Sequence, residues 1–168
     1  MRKLMKVADF FTIGNIIFGV LSIFYAISSQ FKEAVIFMLI AVLFDFLDGK
    51  VARLMNEGAT EFGKELDSLC DLVSFGVAPA VFAYCLGLND VISIIVLVFF
   101  VVCGMLRLAR FNVTKVKHFE GVPITTNGYL VPAIYIISLF FSFNLYYYLI
   151  YFFIMGILMV SKFRIKKI

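Results

Sequence analysis

The stretch FDFLDGKVARLMNEGATEFGKELDSLCD, residues 44–71, concentrates acidic side chains inside an otherwise apolar chain. It contains Asp45, Asp48, Asp67 and Asp71, four of only 11 acidic residues in the sequence. Residues three or four positions apart share one face of an α-helix, so Asp45 and Asp48 share a face, as do Asp67 and Asp71. The spacing therefore predicts two helices whose acidic faces meet.

Around this stretch, the composition is that of a membrane protein. Of the 168 residues, 63% are hydrophobic, and the mean hydropathy is +1.04. A chain of this length has too little interior to bury so much apolar surface in a soluble fold. Apolar segments recur to the C-terminus, unlike a cleaved secretory signal followed by a polar chain. We therefore expect an all-α protein embedded in a bilayer.

Membrane-spanning helices need about 20 mainly apolar residues, and six segments meet this requirement approximately. They are residues 10–29, 34–55, 66–86, 91–108, 128–143 and 145–160. Short connections predict one bundle and a single domain over residues 1–168. Basic residues among apolar ones make residues 1–9 a candidate amphipathic segment on the membrane surface.

The basic residues predict the orientation, because loops rich in Lys and Arg stay on the cytoplasmic side. Of the 15 Lys and Arg residues, Lys32 alone falls on the opposite side of the six predicted spans. Both termini and the acidic faces are thus predicted to be cytoplasmic. The expected location is the cell membrane, with several passes and the site facing the cytoplasm.

Four carboxylates converging inside the cytoplasmic half of a membrane repel one another unless cations share the site. Oxygen ligands without a nearby His or Cys favour Mg²⁺ or Mn²⁺, with Ca²⁺ as an inert occupant. Four aspartates on two helices can bridge two such ions. A pair of ions is suited to holding a pyrophosphate during its displacement.

Small and basic residues accompany the aspartates. Gly49 and Ala52 remove bulk from the acidic face, leaving room for a nucleotide or a neighbouring helix. Arg53 and Lys64 would offset phosphate charge. In the alternative interpretation, the acids pair with Lys50, Arg53 and Lys64 and tie two helices together.

The residue pattern of this stretch resembles the signature of the CDP-alcohol phosphatidyltransferases, which are integral membrane enzymes with six helices that usually form homodimers. All eight fixed positions of the signature are present: Asp45, Asp48, Gly49, Ala52, Arg53, Gly63, Asp67 and Asp71. The resemblance implies that the four aspartates carry two divalent ions and that Asp71 is also the general base. It places the CDP group at Asp48, Gly49, Ala52, Arg53, Thr60, Gly63 and Lys64.

Three further segments, LDSLCDLVSFGVAPA at 66–80, RLARFNV at 107–113 and FEGVPITTNG at 119–128, look like the phosphatidylserine synthase branch of that family. This resemblance implies transfer of a phosphatidyl or archaetidyl group to the hydroxyl of L-serine, with release of CMP. The expected partners are CDP-diacylglycerol or CDP-archaeol, L-serine, membrane lipids and a second copy of the chain. No nucleic-acid partner is expected.

Serine would also need a cation for its carboxylate and acceptors for its ammonium group. Arg107 and Arg110 share a face at the cytoplasmic end of the fourth predicted helix, and Asn112 follows them. These three residues are the predicted serine ligands. The alternative role for the two arginines is to orient the helix or to anchor it to lipid phosphates.

Other functions remain open from the sequence. A sibling enzyme could use inositol phosphate, glycerol phosphate or another alcohol, although a phosphorylated acceptor calls for more basic residues near the metals. A divalent-cation transporter would place its acids near the bilayer centre on broken helices. A catalytically inactive membrane scaffold would not need all four aspartates.

Overall fold

The computed structural model describes residues 7–54, 60–113, 119–141, 144–161 and 164–165, and these form a helical bundle. Its helices are α1 (Val7–Ile27), α2 (Phe31–Leu54), α3 (Glu61–Asp71), α4 (Ala78–Cys85), α5 (Val91–Val113), α6 (Asn127–Phe140) and α7 (Tyr146–Val160). A π-helical turn, Leu72–Val77, joins α3 to α4, and a 3₁₀ turn, Ile124–Thr126, precedes α6. Two short strands, β1 (Phe119–Glu120) and β2 (Arg164–Ile165), pair antiparallel. The helical architecture predicted from the sequence is therefore confirmed.

Two helices extend further than the apolar pattern predicted. The helix predicted from residue 66 begins at Glu61, where the Thr60 side chain accepts a hydrogen bond of 3.0 Å from the Gly63 amide. The helix predicted to end at residue 108 continues to Val113. Both extensions carry polar residues that a search for apolar segments leaves out, while an N-cap and helical hydrogen bonds still stabilise them.

Within the described ranges, three helices are long and apolar enough to cross a membrane: Asp9–Ile27, Glu61–Cys85 and Val91–Val113. The segments Ile124–Phe140 and Tyr146–Val160 are apolar but shorter. Helix α2 has sufficient length, but charged residues occur at both of its ends. These features are those of a membrane protein.

The chain segment from α3 to α4 runs through the middle of the bundle. It contacts α1 on one side and α5 on the other, while α1 packs along α2 and α5 packs along α7. Phe75, Phe82, Phe100 and Phe152 are fully buried between these helices. Gly19 allows α1 to lie directly against the π-helical turn, because any Cβ at this position would collide with Ser74.

The π-helical turn has a local cause in Pro79. Proline has no amide hydrogen, and its ring crowds the carbonyl of the residue four positions earlier, here Phe75. A wider turn relieves this crowding, and the Ala78 amide donates to the Val73 carbonyl, five residues back. The wide turn begins immediately after Asp71, so it shapes the surroundings of that carboxyl group.

Contacts between helix ends place the acidic stretch at one end of the bundle. Arg110, near the end of α5, donates to carbonyl oxygens at the end of α7. The Asn112 amide donates to the hydroxyl of Ser68, which lies between Asp67 and Asp71 on α3, at 3.0 Å. The opposite end of the bundle holds the turn around Gly87, which lies against Leu145.

Candidate active site

Helices α2 and α3 bring three of the four aspartates together. One carboxylate oxygen from each of Asp45, Asp67 and Asp71 lies within 4.8 Å of the other two. Asp71 is the most enclosed, with 7% of its surface exposed, whereas Asp45 and Asp67 are half-buried. The two acidic faces meet as the spacing predicted, and an all-oxygen set of this size suits a hard divalent cation.

Asp48 lies beside this group of three but is held differently. Its carboxylate accepts a hydrogen bond of 3.1 Å from the Thr12 hydroxyl on α1. It remains within electrostatic range of Asp67 and Asp45. A third helix therefore takes part in the site.

A second residue of α1 contacts the most buried aspartate. The Asn15 side-chain Nδ2 donates to Asp71 Oδ1 at 3.2 Å, and Asn15 is fully buried. Asp9, Thr12 and Asn15 follow one another at intervals of three residues on α1, and all three are buried. This polar face of α1 was not predicted from the sequence. The pattern that indicates it can be read there, because three polar residues at helical spacing are unusual in an apolar helix.

The glycines of the predicted nucleotide site differ in their surroundings. A Cβ at Gly49 would meet no described atom within 4 Å, so this residue faces open space and no neighbouring helix approaches it. A Cβ at Gly63 would lie 3.1 Å from both Asp9 Oδ1 and Thr60 Oγ1. The side chain of Ala52 lies outside the described part of the structure. Of these two glycines, Gly49 is therefore the one that presents open room beside the aspartates.

The basic residues near the site are exposed, whereas the four aspartates are buried or half-buried. Lys50, Arg53 and Lys64 are all exposed, and the Lys50 ammonium lies 5.9 Å from the centre of the Phe46 ring. The hydrogen bonds to Asp48 and Asp71 come instead from Thr12 and Asn15. This arrangement favours a site that receives a ligand over one in which ion pairs tie two helices together.

The three predicted serine ligands have different surroundings in the structure. Arg107 is 7% exposed and within electrostatic range of Asp71, and its Nε has no hydrogen-bond partner among the described residues. The guanidinium of Arg110 donates to the carbonyl oxygens of Val160, Met159 and Ser161, at 3.0, 3.4 and 3.5 Å. Asn112 pairs with Ser68. Of the three, Arg107 is the one that has no hydrogen bond to another helix among the described residues and interacts electrostatically with Asp71.

A family model described as CDP-alcohol phosphatidyltransferase matches residues 5–163. The chain belongs to this family. The resemblance inferred from the signature is therefore confirmed, as is the expectation of an enzyme family that acts on lipids in membranes. Divalent metals are typical of this family, and the group formed by Asp45, Asp67 and Asp71 could hold one.

Curated relatives of this CDP-alcohol phosphatidyltransferase carry related names. A CDP-diacylglycerol--serine O-phosphatidyltransferase of Saccharomyces cerevisiae is 42% identical over 153 residues, covering 78% of this chain and 54% of the yeast protein. The protein of the same name from Bacillus subtilis is 41% identical, over 70% of this chain and 68% of its own length. An archaetidylserine synthase of Methanothermobacter thermautotrophicus is 37% identical, over 95% of this chain and 69% of its own length. The chain thus spans about half of the yeast relative and about two thirds of the other two.

Proposed function

We propose that this CDP-alcohol phosphatidyltransferase transfers the phosphatidyl or archaetidyl group of a CDP-activated lipid to the hydroxyl of L-serine and releases CMP, as a step of phospholipid synthesis. The observation that carries the choice of acceptor is the buried side chain of Arg107, which lies within electrostatic range of Asp71. A carboxylate-bearing alcohol is the acceptor that such a guanidinium fits. The names of the relatives agree with this choice.

In the proposed reaction, the serine oxygen attacks the phosphorus that carries the lipid. A new bond forms between that oxygen and phosphorus, the bond from this phosphorus to the oxygen of CMP breaks, and its electron pair leaves with CMP. Asp71 takes the proton of the serine hydroxyl. Asn15 holds the Asp71 carboxyl through its hydrogen bond to Oδ1 and so limits its rotation.

Asp45, Asp48, Asp67 and Asp71 are the residues that would hold two divalent ions, Mg²⁺ or Mn²⁺. When bound, these ions would offset the charge of the pyrophosphate and of the leaving CMP. We assign the CDP group to Asp48, Gly49, Ala52, Arg53, Thr60, Gly63 and Lys64. Gly49 presents open space there, and the exposed cations Arg53 and Lys64 are accessible to phosphate oxygens.

We place the serine carboxylate on Arg107 ahead of Arg110 and Asn112, because the latter two already contact α7 and Ser68. Truncating the cationic partner of a partly desolvated carboxylate costs about 2–5 kcal/mol. Arg107→Ala should therefore raise the serine KM by roughly tenfold or more and leave the KM for CDP-lipid nearly unchanged. Steady-state CMP release at varied serine and varied CDP-lipid measures both constants. A change confined to the CDP-lipid KM would assign Arg107 to the lipid phosphate instead.

The reaction itself is tested with purified protein in detergent. The assay supplies CDP-diacylglycerol or CDP-archaeol, Mg²⁺ or Mn²⁺, and one alcohol at a time, and measures CMP. Release that requires L-serine is the expected result. Release that requires inositol phosphate or glycerol phosphate would identify the sibling activity, and metal-ion flux in vesicles without CMP release would identify a transporter.

The membrane arrangement is part of the proposal. We infer six spans, both termini in the cytoplasm and an active site that opens to the cytoplasmic face of the cell membrane. The basis is the position of Lys and Arg along the chain, with Lys32 as the exception. We also infer a homodimer, from the family resemblance.

A further inference from the structure

Two residues that interact with Asp71 each have a buried polar atom without a hydrogen-bond partner among the described residues. One is Asn15 Oδ1, an acceptor, and the other is Arg107 Nε, a donor on a cation. Asn15 contacts Asp71 directly through its Nδ2, and Arg107 interacts with Asp71 electrostatically. The acceptor without a partner therefore belongs to a residue in contact with the proposed general base, and the donor without a partner belongs to a residue within its electrostatic range.

Buried polar atoms without a hydrogen-bond partner need a physical explanation. A buried polar group left without a hydrogen bond costs about 1–3 kcal/mol, so native proteins keep few of them. A ligand that supplies the missing partners removes this cost when it binds. The two atoms here would be matched by a ligand that presents one donor group and one anionic group close to a hydroxyl.

L-Serine has this set of groups. Its hydroxyl carries the proton that Asp71 takes in the proposed reaction, its carboxylate matches Arg107, and its ammonium group requires an acceptor. We propose that Asn15 Oδ1 accepts a hydrogen bond from the ammonium group and thereby selects an amino acid over alcohols that lack one. This inference rests on the proposed function and adds a residue of α1 to the acceptor site.

The position of Asn15 is fixed from two sides. The Ser74 hydroxyl donates to its backbone carbonyl at 3.2 Å, and the close approach at Gly19 holds α1 against the π-helical turn one helical turn further along. With the backbone of Asn15 held in this way, the side-chain amide can still turn about its terminal torsion. This torsion has a broad energy minimum, which allows the enclosed Oδ1 to reach a ligand. The adjacent carboxylates also favour a cationic group at this point.

The experiment compares two acceptors that differ only in the ammonium group. L-Serine and 3-hydroxypropionate share the hydroxyl and the carboxylate, and the preference is the ratio of their kcat/KM values for CMP release. Wild-type protein should prefer L-serine. Asn15→Leu keeps the approximate volume of the side chain. It should lower the preference for L-serine at least about tenfold, because this factor corresponds to the loss of one hydrogen bond to a charged group.

The ratio of the two kcat/KM values distinguishes a residue that recognises the ammonium group from one that only positions Asp71. Losing the hydrogen bond to Asp71 slows both acceptors equally and cancels in the ratio, whereas losing the ammonium contact affects L-serine alone. Thr12→Val is the matched control, because it removes the polar group that α1 presents to Asp48, and it should leave the ratio unchanged. Asn15→Gln retains the amide and should retain part of the preference.

Equal losses for both acceptors in Asn15→Leu would overturn the inference and leave Asn15 as a positioning residue for Asp71. If that variant does not accumulate, the same ratio in Asn15→Ala gives the decision. Failure of the proposed function is seen separately, as wild-type CMP release that does not require serine. Serine-dependent release by the wild type with an unchanged ratio in the variants refutes only the role of Asn15.

Discussion

Asp71 shows how individual side chains make the site. It is 7% exposed, accepts a hydrogen bond from Asn15, and lies within 4.8 Å of carboxylate oxygens from two other aspartates. Ionisable groups at membrane depth are costly, and proteins keep them mainly where they act on ions or substrates. The enclosure that makes Asp71 costly also keeps water from competing with an attacking hydroxyl.

Asp71→Asn should abolish turnover, because the amide keeps the size of the side chain but cannot take a proton. The loss expected from the base role alone is about 10² to 10⁴ in kcat, and larger if a metal ligand is lost as well. CMP release measures it. Asp90→Asn is the control with the same chemical change, since Asp90 caps α5 at the opposite end of the bundle by accepting from the Ser93 amide at 3.2 Å. Near-normal activity in Asp71→Asn would refute the base assignment.

Asp45→Ala and Asp67→Ala should each weaken metal binding strongly, because the three carboxylates that remain of the four hold two hard cations poorly. We expect an affinity for Mn²⁺ at least about tenfold weaker, a loss of about 1.4 kcal/mol. Titration of free Mn²⁺ by electron paramagnetic resonance measures the affinity without relying on turnover. Asp90→Ala should bind Mn²⁺ as the wild type does. Full activity of the Asp45 or Asp67 variant at excess metal would show that these residues are peripheral.

At the scale of helices, the ends of the elements are fixed by specific polar contacts. Arg110 donates to three carbonyl oxygens at the end of α7, where the helix leaves its last carbonyls without helical partners. Gly121, with φ of +76°, lies against the same end of α7 and could not carry a side chain there. The start of α6 and the ends of α5 and α7 are thus joined beside the site.

Arg110→Ala should lower stability more than it changes serine recognition. A cation at a helix C-terminus contributes about 0.3–1 kcal/mol, and up to about 2 kcal/mol when partly buried. For a chain of this size, each kcal/mol corresponds to about 2–4 °C in the melting temperature. Thermal unfolding in detergent at a fixed scan rate measures the shift, and Arg110→Lys should recover part of it. A raised serine KM with an unchanged melting temperature would instead make Arg110 a serine ligand.

At the scale of the molecule, the bundle has two chemically different ends. The acidic group, Arg107 and the Ser68 pair lie toward the end where α3 begins and α5 and α7 finish. The opposite end carries Gln30 and Asn89, both exposed. A substrate with a charged head and apolar tails can place its head at the first end while its tails remain among the lipids.

Cysteine labelling tests the inferred orientation. In a variant with Cys70, Cys85 and Cys103 changed to Ala, a single Cys replaces Gln30, Asn89 or Glu61, all of which are exposed. A membrane-impermeant maleimide added to intact cells should label the variants at 30 and 89, and the variant at 61 only after permeabilisation. The reverse pattern would place the active site outside the cytoplasm.

The sequence by itself determined the class of the protein and predicted that the aspartates of α2 and α3 would lie together. Mean hydropathy identified a membrane protein, and helical spacing predicted that the faces of Asp45 and Asp67 would meet. These conclusions depend on local periodicity and on the cost of burying charge, both of which can be read along the chain. The signature also identified the family before any fold was known.

Only the tertiary structure decided which helix completes the site and what each arginine does. Arg107 and Arg110 are neighbours on one helical face, yet Arg107 is buried within electrostatic range of Asp71, whereas Arg110 donates to a carbonyl at the end of α7. Asn15 and Asp71 are separated by 56 residues, and their hydrogen bond depends on how α1 packs against the π-helical turn. Helical spacing fixes directions within one element, whereas contacts between elements follow from packing, close approaches such as Gly19 with Ser74, and the widened turn before Pro79.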